Sequence, residues 1–330
     1  MVKKLVLVIV ISLCTYSVYA QSGKASKKVS VIFDTDMGPD YDDVGAITLL
    51  HYFADHGEAR ILATVASTRY PRVAAVLSVL NTYFQKPDIP VGVPREDASD
   101  QADFQKWSDT LVAKYPHKIK SNIDATDAVT LYRKILAKQP DHSVTIITVG
   151  FFTNIATLLQ SPPDKFSPLT GQALVEKKVL KLVSMAGRFP SGKEFNVDQR
   201  VAASKYVFSH FNRPVIFSGF EIGSKIKSGL PLIHNKSIIN SPVKDVFRIS
   251  IPMAKEDTDG RMSWDETAVL AGVKGAAPYF KLQRGSIRIN ADGSNTWDAT
   301  KGNHNYLVFA RPVKEIQTLI NNLMMHQPVK

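Results

Sequence analysis

Five carboxylates, Asp34, Asp36, Asp40, Asp42 and Asp43, fall within ten residues, and the stretches on either side dictate where they can sit. Residues 29–33 are short, β-branched and bounded by polar residues, the pattern of a buried strand. Residues 44–56 place Val44, Ile47 and Leu50 on one helical face with Ala46, Leu49 and Phe53 beside them, and Gly57 supplies a stop. The acids therefore occupy a strand-to-helix loop. Like charges this dense repel and raise one another's pKa unless a cation intervenes. Hard oxygen donors in a crowded, irregular arrangement suit calcium best. The loop lacks the spacing and terminal glutamate of an EF-hand. The bland alternative is a solvated acidic loop capping the helix, since carboxylates are favourable at helix N-termini; the density of charge and its place after a strand argue against it.

The alternation of strand and helix continues. Residues 60–66, 144–149, 179–185 and 214–218 read as strands. Residues 73–84, 127–138, 155–159 and 201–208 read as helices, with Thr153 as the N-cap of the third. Such a series implies parallel pairing with right-handed crossovers. The expected fold is therefore α/β, a doubly wound, mostly parallel sheet flanked by helices in one domain over 29–330. Residues 279–289 and 306–310, with Gly293 in the turn region, predict a small C-terminal antiparallel appendage, and 312–325 a closing helix. Ligands in open sheets of this kind bind beyond the carboxyl ends of the strands.

The first twenty residues stand apart: Lys3 and Lys4, an apolar run from Leu5, then Val18-Tyr19-Ala20 before Gln21. This is the layout of a secretory signal peptide over 1–20, followed by a polar leader over 21–28, and it predicts an exported protein, periplasmic or secreted. The apolar run falls short of the ~20 residues that span a bilayer, so no membrane association is expected after cleavage. Cys14 is the single cysteine; cleavage after Ala20 leaves no thiol for catalysis or metal ligation. The formal charge is +11, but the Lys and Arg residues are scattered without aromatic interleaving, so the charge reads as general surface charge and no nucleic-acid partner is expected.

The run from Asp34 to Asp43 resembles the N-terminal signature of the inosine/uridine-preferring nucleoside hydrolases, with two more residues between Asp36 and Asp42 than the short form has. Further segments follow in order. Gly150-Phe151-Phe152-Thr153-Asn154 is similar to the family's Gly-Pro-Leu-Thr-Asn segment, with Phe151 in place of proline. Met185-Ala186-Gly187 followed by Glu194-Phe195-Asn196 resembles the ribose-binding segment, and Ser263-Trp264-Asp265 stands where the family often has His-Asp. The resemblance spans 29–325. It implies the doubly wound fold and hydrolysis of a small-molecule nucleoside to ribose and free base with Ca2+. Carried over, it makes Asp36, Asp43 and Asp265 side-chain metal ligands and Val149 a main-chain carbonyl ligand. Asp36 would also orient or deprotonate the attacking water. Asp42, Glu194 and Asn196 would hold the ribose hydroxyls, with Met185 against the sugar. Cleaving an N-glycosidic bond develops an oxocarbenium-like sugar, which a metal and a general base suit.

The pattern breaks at Trp264, which replaces a frequent general acid. Tryptophan cannot protonate a leaving base, but it can stack on one. His304 is a substitute proton donor to be weighed against a surface-loop histidine, and Tyr70 and Arg188 follow strands and could border the base. Two other functions compete: a non-catalytic nucleoside- or sugar-binding protein of the same fold, and a haloacid-dehalogenase-type phosphatase opened by Asp34-x-Asp36. The sequence leaves base preference and self-association into a homo-oligomer open.

Overall fold

The structure is a computed structural model and describes residues 28–96 and 98–329. The expected signal peptide over 1–20 and, apart from Lys28, the expected polar leader over 21–28 lie outside the described residues. Thirteen strands occur among the described residues. In chain order they are β1 (Val29–Thr35), β2 (Ala59–Ala66), β3 (Val91–Val93), β4 (Thr126–Asp127), β5 (Val144–Thr148), β6 (Val179–Met185), β7 (Ser191–Lys193), β8 (Val215–Ser218), β9 (Lys227–Ser228), β10 (Arg261–Met262), β11 (Phe280–Ile289), β12 (Ser294–Asp298) and β13 (His304–Phe309). Eleven form one sheet in the order β4-β3-β2-β1-β5-β6-β8-β13-β11-β12-β7, and β9 and β10 form a separate antiparallel ribbon.

From β4 to β13 the pairing is parallel; β13-β11, β11-β12 and β12-β7 are antiparallel. The C-terminal strands are antiparallel as expected, but they prolong the main sheet through β13 instead of standing apart from it. Both faces of the parallel part are covered by helices, which is why β1 is apolar at consecutive positions. Val31 and Phe33 face one core, with the helices Asp42–Asp55, Val73–Tyr83, Trp264–Lys274 and Val313–Met324; Ile32 faces the other, with Ala128–Ala137, Thr153–Gln160 and Val201–His210. Two boundaries bear on function. The first helix begins at Asp42 rather than at residue 44, so the last two acids lie in its first turn, buried. Thr153 is not an N-cap: Phe152 holds that position, and Thr153 is the first helical residue.

β2, β3 and β4 wind away from β1 in one direction, and β5, β6 and β8 in the other. The chain leaving β1 and the chain leaving β5 therefore diverge, opening a crevice at the topological switch point. The acidic loop stands in that crevice. No helix among the described residues is long and apolar enough to cross a membrane.

Candidate active site

The five acids of the loop part company in three dimensions. Asp34, still in β1, points away into the core, where it accepts hydrogen bonds from Tyr132 Oη (2.8 Å) and Asn154 Nδ2 (3.0 Å). Asn154 also donates to the Ala66 carbonyl, so this pair ties β1, β2 and the helix Thr153–Gln160 together behind the site. Burial pushes the Asp34 carboxyl up to about 7 against these two bonds. Asp36 opens the loop and faces a cavity. Its backbone lies against the chain leaving β5 so closely that a Cβ on Gly150 would sit 2.4 Å from the Asp36 nitrogen; only glycine permits this approach. Trp107 Nε1 and Gln105 Nε2 donate to the Gly38 and Pro39 carbonyls and pin the rest of the loop.

Asp42, Asp43 and Asp265 converge, with one carboxylate oxygen from each within 4.8 Å of the others. Two helix N-termini meet here: Asp42 and Asp43 begin one helix, and Asp265 lies in the first turn of Trp264–Lys274. The amides of Trp264 and Asp265 both donate to Asp42 Oδ2 at 3.2 Å, so a carboxylate from one helix satisfies first-turn donors of the other. Asp42 Oδ1 accepts from Arg261 Nε (3.1 Å) and Nη2 (2.9 Å). Asp43 Oδ1 accepts from the Thr35 hydroxyl, while its Oδ2 is buried with no hydrogen-bond partner. Burial raises the carboxyls of Asp36, Asp43 and Asp265 well above the usual carboxylate range, and repulsion from neighbouring carboxylates, Asp42 acting on all three, adds to it. Asp42 is also raised by burial, offset by the Arg261 charge. Buried acids that raise one another, one with an orphaned oxygen, fit a hard cation with oxygen ligands. Asp36 is not one of the three converging carboxylates, although Asp43 is the strongest charge acting on it.

The cavity has a volume of about 300 Å3 and is lined by Asp36, Asp40, Asp42, Asp265, Val149, Met185, Glu194, Asn196 and Trp264, together with Arg261, Met262, Glu256, Lys193, Phe195 and Phe220. It is the size of a small-molecule site. Every residue expected from the sequence in a metal or sugar role lines it except Asp43, which is fully buried. Glu194 caps the short helix Phe195–Asp198, taking the amides of Asn196 (2.8 Å), Gly187 (3.0 Å) and Val197 (3.2 Å). Burial outweighs those bonds and pushes its carboxyl up to about 7. Asn196 Nδ2 donates to the carbonyls of Val149 (3.2 Å) and Met185 (3.1 Å), which leaves its Oδ1 as the free acceptor. Trp264 gives its indole N–H to the Phe220 carbonyl (2.9 Å) and lies 5.2 Å from the Phe220 ring, so the cavity meets its ring and not its donor.

Three expectations do not converge on this cavity. His304 is neither in a surface loop nor at the site: it is buried in β13, edge-on to Phe208 and Phe217, with Nδ1 accepting the Ile287 amide. Burial lowers it to about 4, which keeps it uncharged at neutral pH. Tyr70 is fully buried under the acidic loop, and Arg188 lies outside the cavity, its guanidinium 4.1 Å from the Phe220 ring. Conversely, sequence reasoning passed over Arg261, buried and ion-paired with Asp40 and Asp42. An isolated arginine four residues before Asp265 reads as surface charge, and only the unassigned Asp40 signalled a partner.

A sheet wound about this switch point, with acids at the first strand end and a small-molecule cavity beside them, is the arrangement of an α/β enzyme whose site lies beyond the carboxyl ends of its strands. The family model described as "Inosine-uridine preferring nucleoside hydrolase" matches residues 31–318, and the chain belongs to that family. Its substrates are small-molecule nucleosides and its hydrolysis is metal-dependent, which displaces the phosphatase alternative. Similar solved structures include a plant nucleoside hydrolase, PpNRh1 (TM-score 0.68, 18% identity, covering 90% of this chain and 99% of that one). An inosine-uridine preferring nucleoside hydrolase from Bacillus anthracis is similar too (0.69, 14%, 90% and 99%), as is the type III effector protein XopQ complexed with adenosine diphosphate ribose (0.66, 14%, 90% and 92%). No curated protein matches the chain in sequence.

Proposed function

We propose that this chain is an exported, calcium-dependent nucleosidase, periplasmic or secreted, that cleaves the N-glycosidic bond of a ribonucleoside to ribose and free base. The observation that carries the metal reading is the orphaned Oδ2 of Asp43, buried among carboxylates that raise one another. Asp36, Asp43, Asp265 and the Val149 carbonyl would hold the ion. A divalent cation there neutralises the carboxylates and makes water more acidic.

The remaining roles belong to the protein's own groups. Asp36, with its carboxylate facing the cavity, takes the proton of the attacking water as general base. Asn196 Oδ1 and Glu194 accept sugar hydroxyls, and Met185 closes against the sugar. The ring of Trp264, flanked by Phe220, offers a stacking face for the base, which favours purines as the larger rings. With His304 outside the cavity and the indole N–H already engaged, neither donates a proton to the leaving base, so stacking carries leaving-group activation.

Release of reducing sugar is measured with inosine, guanosine, adenosine, uridine and cytidine. The expected result is turnover that chelation abolishes and calcium restores, with purines ahead. Full turnover in metal-free enzyme would sink the metal reading. A second reading, binding without turnover, draws on Asp42, whose oxygens are already taken up by Arg261 and two amides. Calorimetry that shows tight nucleoside binding with no sugar released would favour it.

A further inference from the structure

Arg261 sits at the cavity wall in β10, nine-tenths buried. Its Nε and Nη2 fork the single oxygen Asp42 Oδ1 at 3.1 and 2.9 Å, and Nη2 also pairs with Asp40. Asp257 lies 3.7 Å from Nη1. The guanidinium lies 4.9 Å from the Tyr41 ring and 5.2 Å from the Trp264 ring. Arginine stays charged at any working pH, and a forked, ring-stacked arginine is not an exchangeable surface cation.

The consequence lies on Asp42. An ionised carboxylate has roughly four acceptor positions. Two on Oδ1 go to Arg261 and two on Oδ2 to the amides of Trp264 and Asp265, which leaves none for a sugar hydroxyl. The other sugar-facing groups keep capacity: Asn196 has its Oδ1, and Glu194 spends three positions on backbone amides. We infer that Arg261 is a specificity-determining residue that takes Asp42 out of hydroxyl recognition, so that this chain accepts nucleosides lacking a ribose 2′- or 3′-hydroxyl with little penalty at that contact. A site that hydrogen-bonds a substrate hydroxyl rejects the analogue without it because its own polar group is left unpaired. Here Asp42 is paired whether or not the hydroxyl is present.

The inference rests on the nucleosidase reading, and its test separates the two. Calcium-loaded enzyme, wild type and Arg261→Gln, is assayed with inosine, 2′-deoxyinosine and 3′-deoxyinosine, and binding of the same three is measured by calorimetry. Loss of the fork frees acceptors on Asp42. The preference for inosine over one deoxy analogue should then rise roughly tenfold to a hundredfold, the span of one hydrogen bond to a charged group. Arg261→Lys, which keeps the charge without the fork, should give a smaller rise. In the wild-type background Asp42→Asn should lower kcat/KM for all three substrates by the same factor. An unchanged preference in folded Arg261→Gln, or an Asp42→Asn variant that loses inosine selectively, overturns the inference. If the wild type releases no base from any of the three, the nucleosidase reading fails, and the ratio of dissociation constants decides the role of Arg261 by the same criterion. If Arg261→Gln does not fold, Asp42→Asn decides it.

Discussion

At the carboxyl ends of β1 and β5, Asp36, Asp42, Asp43, Glu194, Asp265 and Glu266 are buried together, and burial raises the pKa of each. At one edge of the same sheet, β13, β11, β12 and β7 bury aromatic rings and few charged groups. Asn295 takes the Arg188 amide on Oδ1 and returns Nδ2 to the Arg188 carbonyl. Phe189 stacks on Tyr306 at 4.6 Å, with Trp297 edge-on to both. One region gathers charge that folding alone disfavours, and the other is an aromatic support whose buried orphan, Trp297 Nε1, is an uncharged donor. Unfavourable, mutually perturbed carboxyls at a cavity mark a functional site, whereas the aromatic edge is explained by packing. Asp34 and Asp36 show the two kinds of acid within one motif: Asp36 lines the cavity, whereas Asp34 takes Tyr132 and the Asn154 amide in the core and holds strands, although both lie in a segment that resembles a catalytic signature.

The comparison breaks most sharply at Asp36. Asp36→Asn should lower kcat by ~10²–10⁴-fold, the usual share of a general base, with far-ultraviolet circular dichroism unchanged; near wild-type turnover would remove Asp36 from the mechanism. Next in size is Trp264. Stacking on an aromatic ring is worth ~1–3 kcal/mol per base, so Trp264→Ala should slow purine nucleosides roughly tenfold to a hundredfold. A p-nitrophenyl riboside, whose leaving group needs no activation, should be hurt less. Calcium affinity, measured in the same variant because Asp265 is adjacent, should be preserved; intact calcium binding with unaffected purine cleavage would end the stacking proposal.

The two regions should also respond to pH with opposite sign. Asp34 and Glu194 are pushed up to about 7 in the folded protein, so folding takes up protons at pH values between their ordinary range near 4 and 7. The stability they contribute is full at low pH and is lost as pH rises through 7. His304 is lowered to about 4. Its contribution is full above the ordinary histidine range near 6.5 and is lost as pH falls towards 4. Over the shared window between about 4 and 7 the two effects oppose, and two acids outweigh one histidine, so the melting temperature of the chelated protein should fall as pH rises from about 5 to 7. Glu194→Gln should flatten that fall and His304→Phe should steepen it. A variant that shifts the whole curve without changing its slope would count against these assignments. The smallest effect is on turnover in His304→Phe, which should stay within about twofold of wild type at pH 7.5, since His304 does not line the cavity; a large loss of kcat would return it to the site.

Much of this was legible in the residues. Strand and helix periods placed β1, β2, β5, β6 and β8 and the helices Asp42–Asp55, Val73–Tyr83, Ala128–Ala137, Thr153–Gln160 and Val201–His210, but not Trp107–Lys114 or Gly171–Lys178. The alternation of strand and helix implied a parallel sheet because a helix between two strands carries the chain back to the end where the first strand began. The density of acid after a strand located the site at a switch point, and the ordered segments around Gly150, Met185 and Trp264 named most of its wall. Short strands such as β3, β4 and β7 escaped, because two or three residues carry no period.

What tertiary structure decided was who faces whom. Asp34 and Asp36 are two apart in sequence, yet one faces the core and the other the cavity. His304 carries a catalytic type of side chain into an aromatic interior because β13 inserts between β8 and β11. Arg261 and Asp42 are 219 residues apart, and no local pattern announces their pairing, which arises only when the ribbon of β9 and β10 lies over the acidic loop. Composition and spacing determine which chemistry a segment can carry. Which acid is free to use it depends on the partners that folding brings within hydrogen-bond reach, since a buried carboxylate has few acceptor positions and its neighbours take them first.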